Sequence, residues 1–190
     1  MKLIFATHNP NKVNEIQALL PEHIQILSLN DLDYHKEIVE HGETIEANAK
    51  IKADTISDLF DLPCFADDTG LEVNALGGKP GVKSARYAGQ DKSDEANKKK
   101  LLKELKGKED RSARFKTVIV FKNGDEEKVF TGLCEGEITK EPAGKGGFGY
   151  DPIFKPKRYS QTFAEMPASE KNKISHRGLA FQQLIEFLKA

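Results

Sequence analysis

The chain has no tryptophan and only two cysteines and two methionines in 190 residues, and its 29 basic and 30 acidic side chains nearly cancel. Each scarcity excludes something. Cys64 and Cys134 lie far apart within apolar stretches, which argues for reduced core thiols and against a disulfide framework or a zinc site. A net charge of -1 gives no global field to draw the molecule onto DNA or a membrane surface, so a nucleic-acid partner would need a local patch. Apolar runs are short: none approaches the roughly 20 residues of a membrane span. The opening MKLIFATHNPNK is too brief an apolar run, without a small-residue cleavage pattern, to act as a signal peptide. The expectation is a cytoplasmic protein with no membrane and no nucleic-acid partner. What is present suffices for a sizeable core: 38% of the residues are apolar, enough for one domain or for two lobes around one sheet.

Along the chain, Lys2 to Ala6 reads as a short buried strand, and Thr7-His8-Asn9 leads into a helix with Val13, Ile16 and Leu20 on its apolar face. Asn9 is a good cap and Pro10 a good first helical residue. Ile24 to Leu29 reads as the next strand and Asn30 to Gly42 as a loop. Over Glu43 to Phe60, Ile45, Ala49, Ala53, Ile56 and Phe60 form an amphipathic stripe, with Asn48 and Lys52 one turn apart at its border with solvent. Leu62 to Ala66 is a buried strand, and the following Asp67 and Asp68 are expected at its carboxyl end, before a glycine turn. The stretch LEVNALGGKPGVKSARYAG is then expected to be a long ordered loop. Ser93 caps a helix carrying Leu101, Leu102 and Leu105, with Gly107 past its end. Two β-rich runs, Arg114 to Lys122 and Glu127 to Ile138, meet at Asn123-Gly124-Asp125, a strong hairpin signal that gives the sheet an antiparallel part. After the glycine cluster Gly144 to Phe154 and a polar stretch, a last amphipathic helix carries Leu179, Leu184, Ile185 and Leu188.

Four constellations can carry chemistry. In FADDTG, Phe65 to Gly70, adjacent strand residues point to opposite faces, so the two acids should not share one task. One could hold a hard divalent cation or activate water while the other holds the loop; an acidic turn capping the next segment would use the same residues. Thr7, His8, Asn9, Pro10, Asn11 and Lys12 occupy a strand-to-helix junction, where free N–H groups and the helix dipole favour an anion such as phosphate. Lys12 in the first helical turn opposes that dipole unless an anion sits beside it, although an ordinary capped helix remains the alternative. Glu40, Glu43 and Lys52 precede the two aspartates, and a magnesium ion on phosphates needs only one or two carboxylates. Finally, Phe148 and Tyr150 stand among glycines, where an aromatic face can stack on a base or simply cover the core. Lys171, His176 and Arg177 near a helix start offer donors to carbonyl oxygens on a flat ring, or form a solvated helix entrance.

Five blocks, ATHNPNK, EHGETIEANA, ADDTGLEVNALGGKPGVKSARYAG, EPAGKGGFGYDPIF and FAEMPASEKNKISHRG, taken together resemble the inosine triphosphate pyrophosphatase family, also called the Ham1 or RdgB family. The resemblance covers nearly the whole chain and implies a single domain over residues 1–190. The implied fold class is α/β: an elongated mixed β-sheet flanked by helices, with two lobes and a central nucleotide cleft. The implied activity is hydrolysis of inosine, deoxyinosine and xanthosine triphosphates to the monophosphate and pyrophosphate, with Mg2+, in a homodimer. Position by position, the resemblance gives Thr7, Asn9 and Lys12, within Thr7 to Lys12, to the triphosphate. It gives Asp68 to the metal and to water activation, Thr69 to substrate and Lys52 to the phosphate side. Glu40 matches the second metal position, with Glu37 and Glu43 left open by the spacing of that loop. Phe148, Gly149, Tyr150 and Asp151 match the base-binding turn, completed by Lys171, His176 and Arg177. The chain departs from many members in having His8 in place of Gly and Thr69 in place of Ser, and neither change removes a required group; His8 could add a contact to phosphate.

The expected reaction is attack on the α-phosphorus by a water activated by magnesium and Asp68, with Lys12 and Lys52 stabilising charge on the phosphate oxygens. Donors at the base end suit a 6-oxo group and would meet the 6-amino group of adenine donor to donor. Two rival readings are a pyrophosphatase or phosphatase of modified pyrimidine triphosphates and a nucleic-acid module stacking on Phe148 and Tyr150; near-zero net charge disfavours the latter.

Overall fold

The computed structural model describes residues 1–17 and 19–190. The elements run β1 (Lys2–Phe5), α1 (Pro10–Gln17), β2 (Gln25–Ser28), α2 (Ile45–Leu59), β3 (Cys64–Val73), β4 (Pro80–Gly81), α3 (Asp94–Glu104), β5 (Ser112–Asn123), β6 (Glu126–Ile138), β7 (Phe154–Pro156), α4 (Ala168–Ile174) and α5 (His176–Lys189), with short 3-10 turns between some of them. The sheet is mixed: the strand order is β2-β1-β3-β5-β6-β7, with β4 paired to β3. β1 lies parallel to β2 and to β3, while β3–β4 and β6–β7 are antiparallel.

Local chemistry explains most boundaries. The Asn9 side chain accepts from the Asn11 N–H at 2.9 Å and so caps α1. Thr44 caps α2 by accepting from the Ala47 N–H, and Ser93 caps α3 by accepting from the Ala96 N–H. Gly124, at φ 59°, supplies the left-handed residue of the turn joining β5 to β6. The helix expected through Leu20 is described over Pro10–Gln17, and Leu20 itself is outside any helix. Ala18, which it would have included, lies outside the described residues.

The chain divides into two compact units. The first comprises Met1–Asp68, Thr117–Gly132 and Arg177–Ala190. Its core joins Leu3, Phe5, Ile16, Ile26, Phe65, Ile119, Phe121, Phe181 and Leu184. Phe5 and Phe65 stack at 4.5 Å between ring centres, and Phe181 meets both edge-on. The second comprises Thr69–Lys116 and Leu133–His176 and has its own core around Leu71, Leu101, Leu105, Phe115, Ile138, Phe154 and Phe163. Each unit holds one cysteine, and burial pushes the Cys64 thiol up to about 11 and the Cys134 thiol up to about 12.

Three expectations need correction. Asp67 and Asp68 do not end their strand: β3 runs ten residues, straight through FADDTG to Val73, with Gly70 buried inside it. In the sheet order β3 lies between β1 and β5, with β4 paired to its far end. Pairing with β1 ends at Phe5 opposite Phe65, and β4 takes over at Leu71 and Glu72. The stretch after it is therefore less loop-like than expected, since it holds β4 and two 3-10 turns. The polar segment before the last helix contains a further helix, α4, which lacks an apolar period to announce it.

Candidate active site

The first cluster is built where β1 ends. In the order β2-β1-β3 the chain leaves β1 through α1 to β2 on one side and later returns to β3 on the other, which makes the carboxyl end of β1 a switch point, the place where open α/β sheets tend to bind ligands. Beside it lie the β1–α1 turn Thr7 to Lys12 and the continuation of β3 beyond Phe65, Asp67 and Asp68. The two acids part company as strand alternation requires. Asp67, 1% exposed, accepts from the Lys12 ammonium through Oδ1 at 2.9 Å; its Oδ2 lies 2.9 Å from the same ammonium and 3.7 Å from the Arg177 Nε but takes no hydrogen bond among the described residues. Burial would raise its carboxyl, but Lys12, Arg177 and Lys52 outweigh that and hold it below the ordinary carboxylate range. Burial, together with the neighbouring Lys52 and Arg177, lowers Lys12 in spite of Asp67. Arg177 also donates to Glu15 on α1, so a chain of charges ties α1, β3 and α5.

Asp68 is differently placed. The Lys52 ammonium stands 3.7 Å from its Oδ1 and is bonded instead to Glu40 at 2.7 Å. Its Oδ2 is buried and has no hydrogen-bond partner among the described residues. Burial raises the Asp68 carboxyl to about 6, with Lys52 pulling it down and Glu40 pushing it up. For Lys52 burial lowers the pKa, and Asp68, Glu40 and Asp67 more than compensate, so the ammonium form is held. Asn48 and Lys52, expected at the border of the α2 stripe, are in fact buried, at 2% and 9% exposure. The loop Asn30 to Gly42 accounts for it: the Gly42 N–H donates to the Asn48 Oδ1 at 2.7 Å, and a Cβ on Gly42 would come within 2.6 Å of that oxygen and 2.8 Å of Ala47 Cβ. This close approach carries Glu40 to Lys52. Glu37, Glu40 and Glu43 are all exposed, and Glu40 pairs with the lysine that also stands by Asp68. His8 lies 3.2 Å from Asn30 Oδ1 and 3.1 Å from the Lys36 carbonyl through its two ring nitrogens, so its side chain serves the same loop.

The second cluster lies in the second unit. Asp151, 4% exposed, accepts from the Lys171 ammonium at 2.7 Å and from the Phe148 N–H at 3.0 Å. Lys171 also lies 5.0 Å from the centre of the Phe148 ring, a cation–π contact. The two aromatics of the turn differ: Tyr150 is buried and donates to the Ser84 carbonyl at 2.7 Å, whereas Phe148 is half-buried. His176 stacks on Phe115 at 4.5 Å, and His176 and Lys171 are both buried, so neither is a solvated residue of a helix entrance. Arg177 is buried too, but it belongs to the first unit, where it meets Glu15 and Asp67. Thr69 follows Asp68 in β3 and is half-buried. A groove of about 960 Å³ in the second unit is lined by none of these residues, and it holds the ion pairs Arg114–Glu72 at 2.6 Å and Lys155–Glu137 at 2.7 Å.

Sequence reasoning missed Glu15 as a partner of Arg177, 162 residues away, for which no local signal exists. It divided the two acids between a cation or water and the holding of the loop, and gave Asp67 no partner; the structure pairs Asp67 with Lys12.

Among the described residues, no group of three or more His, Cys, Asp or Glu could hold a metal ion, and no helix is long and apolar enough to cross a membrane. The pair Glu40 and Asp68 nevertheless suits a hard cation that takes its remaining ligands from water and phosphate. The bare Asp68 Oδ2 is a ligand oxygen without a partner among the described residues.

The model of the Ham1 family matches residues 3–187. A protein of Christiangramia forsetii named dITP/XTP pyrophosphatase is 57% identical over 188 residues, covering 99% of each chain. One of the same name from Flavobacterium johnsoniae is 54% identical, covering 100% of this chain and 99% of its own. Among solved structures, the Staphylococcus aureus Ham1 protein superposes with a TM-score of 0.91 at 40% identity, covering 100% of this chain and 98% of that one. A family match spanning almost every residue, joined to relatives of this identity, shows that the chain belongs to the Ham1 family.

Proposed function

We propose that the chain hydrolyses non-canonical purine nucleoside triphosphates, dITP, XTP and ITP, to the monophosphate and pyrophosphate, and so cleanses the nucleotide pool. Relatives named for dITP and XTP support the substrate class. The observation that carries the chemistry is the buried, unpartnered Oδ2 of Asp68, a carboxylate with one oxygen left over beside Lys52 and Glu40. Glu40 and Asp68 would hold a divalent cation, which we take to be magnesium. When bound, that ion neutralises phosphate charge and makes water more acidic.

The remaining work falls to the protein. Asp68, raised to about 6, is ionised at neutral pH yet basic enough to take a proton from an attacking water. The new bond joins that water oxygen to the α-phosphorus, the bond from the α-phosphorus to the bridging oxygen breaks, and pyrophosphate departs with the electron pair. Lys52 and Lys12 offset the charge that accumulates on the phosphate oxygens, and Thr7, Asn9 and the N–H groups at the start of α1 orient them. His8, with both ring nitrogens engaged by Asn30 and Lys36, would meet phosphate through its backbone only. Pro10 and Asn11 contribute backbone to the same turn, and Thr69 touches substrate beside Asp68. Arg177 acts with Asp67 to hold Lys12 in place. Phe148, Gly149, Tyr150 and Asp151, with Lys171 and His176, read the base, and the ring offered for stacking is that of Phe148. The proposal extends to residues 1–190 acting as one domain, to a homodimer and to a cytoplasmic location.

The test is to incubate the protein with dITP or XTP and magnesium beside a panel of modified pyrimidine triphosphates, and to identify the inorganic product. Pyrophosphate with a preference for the purines is expected; orthophosphate, or faster turnover of the pyrimidines, overturns the reading. Light scattering that finds a monomer removes the dimer from it.

A further inference from the structure

We propose that Asp94, the first residue of α3, is a positioning residue for the base-reading turn, holding it in shape by accepting from the Gly149 N–H. This inference rests on the function proposed above, to which it adds a determinant of substrate affinity outside the four residues of the turn.

The turn is intrinsically loose. Gly147 and Gly149 sit at φ 68° and 61°, on either side of Phe148, in the left-handed region that glycine enters without strain. Such alternation leaves successive backbone N–H groups able to take an acceptor together. Here two carboxylates supply it: Asp151 Oδ2 accepts from Phe148 at 3.0 Å and Asp94 Oδ2 accepts from Gly149 at 2.8 Å. The first is local, three residues along the chain. The second reaches across 55 residues from a helix start and fixes the turn to the body of the second unit.

That helix start is itself held. Asn97, one turn into α3 and 2% exposed, accepts from the Ala88 N–H at 2.7 Å and donates to the Ala85 carbonyl at 2.9 Å. Tyr150, at the far end of the turn, donates to Ser84 in the same segment at 2.7 Å. The contacts close a circuit: α3 grips residues 84–88, these grip Tyr150, and Asp94 grips Gly149 beside it. The half-buried Phe148 has its own N–H and the next one held by the two carboxylates, so the backbone that carries its ring is fixed by both. Ser93, not Asp94, supplies the helix cap, so the Asp94 carboxylate is available to the turn.

Three variants test this: Asp94→Ala, Asp94→Asn, whose amide oxygen can still accept from Gly149, and Glu95→Ala, which removes a first-turn carboxylate without touching the turn. Expected for Asp94→Ala are faster amide exchange across residues 144–151 and a KM for dITP or XTP raised about tenfold with kcat within about twofold. Asp94→Asn should restore most of the affinity, Glu95→Ala should behave as the unaltered protein, and inhibition by inorganic pyrophosphate should be unchanged in all three. Unchanged amide exchange in Asp94→Ala, an equal rise in KM in Glu95→Ala, or weaker pyrophosphate inhibition would each overturn the assignment. Should the unaltered protein cleave neither triphosphate while the exchange responds as expected, the positioning of the turn stands and the proposed activity is what fails.

Discussion

Asp68 and Asp151 are both aspartates buried beside a buried lysine, yet they are treated in opposite ways. Asp151 has its lysine at 2.7 Å and a backbone N–H at 3.0 Å on the same oxygen. Asp68 has its lysine at 3.7 Å, shares it with Glu40, and keeps an oxygen with no hydrogen bond. A buried carboxylate with close partners is a structural joint, since removing one member strands the other. A buried carboxylate left short of partners costs stability in the resting protein and is ready for a ligand that supplies what is missing. On the proposed reading, Asp68 carries reactivity and Asp151 carries shape.

The widest separation of the two should come from matched substitutions. Asp68→Asn is expected to lower pyrophosphate release by about a thousandfold while leaving the melting temperature equal or higher. A variant with near-normal turnover, or one that melts well below the parent, would erase the contrast. Asp151→Asn should do the reverse in kind: leaving Lys171 without its carboxylate costs about 3 kcal/mol in urea unfolding. Stability within about 0.5 kcal/mol of the parent would show that Lys171 finds another partner.

The proton inventory sharpens the same point. Asp68 binds its proton more tightly folded, at about 6, than in the unfolded chain near 3.8. Its contribution therefore favours the folded state below about pH 4 and is lost as pH rises through 6, by at most about 3 kcal/mol. Asp67, held low, contributes in the opposite sense, with stability present above the ordinary carboxylate range and lost as pH falls through its own pKa. Metal-free unfolding measured from pH 4 to 7 for the parent and Asp68→Asn isolates the Asp68 component as their difference. A difference independent of pH would mean that the carboxyl is not raised. The smallest effect is expected at His8, whose ring ties Asn30 and Lys36 in the loop that bears Glu40. His8→Gly should raise the magnesium concentration for half-maximal activity about threefold at nearly unchanged kcat, whereas a loss of kcat alone would point to direct action on phosphate.

What could be read from the chain in advance follows the range of the forces involved. β1, the Asn9 cap, the α2 stripe and the Gly124 turn are set by neighbours within a few residues, and their patterns are plain. β3 runs past the expected end although aspartate and glycine are poor strand residues by themselves; its place in the sheet between β1 and β5 overrides that preference. α4 begins at a proline and has a polar composition, so periodicity had nothing to register. The burial of Lys52 depends on a loop folding over α2, and the partnership of Arg177 with Glu15 on the meeting of the two ends of the chain. The family resemblance named residues for both clusters, but it placed Arg177 with the base-reading set, whereas its observed ion-pair partners belong to the first unit.

Gly42 has no side chain and no part in the proposed chemistry, yet a single added methyl group there would wedge the segment away from α2. Its harm would be mechanical: Glu40 would be carried off like a hand on a dislodged arm. A screen that ranks positions by reactive groups would pass over it, and its damage would show as a lost grip on the metal ion.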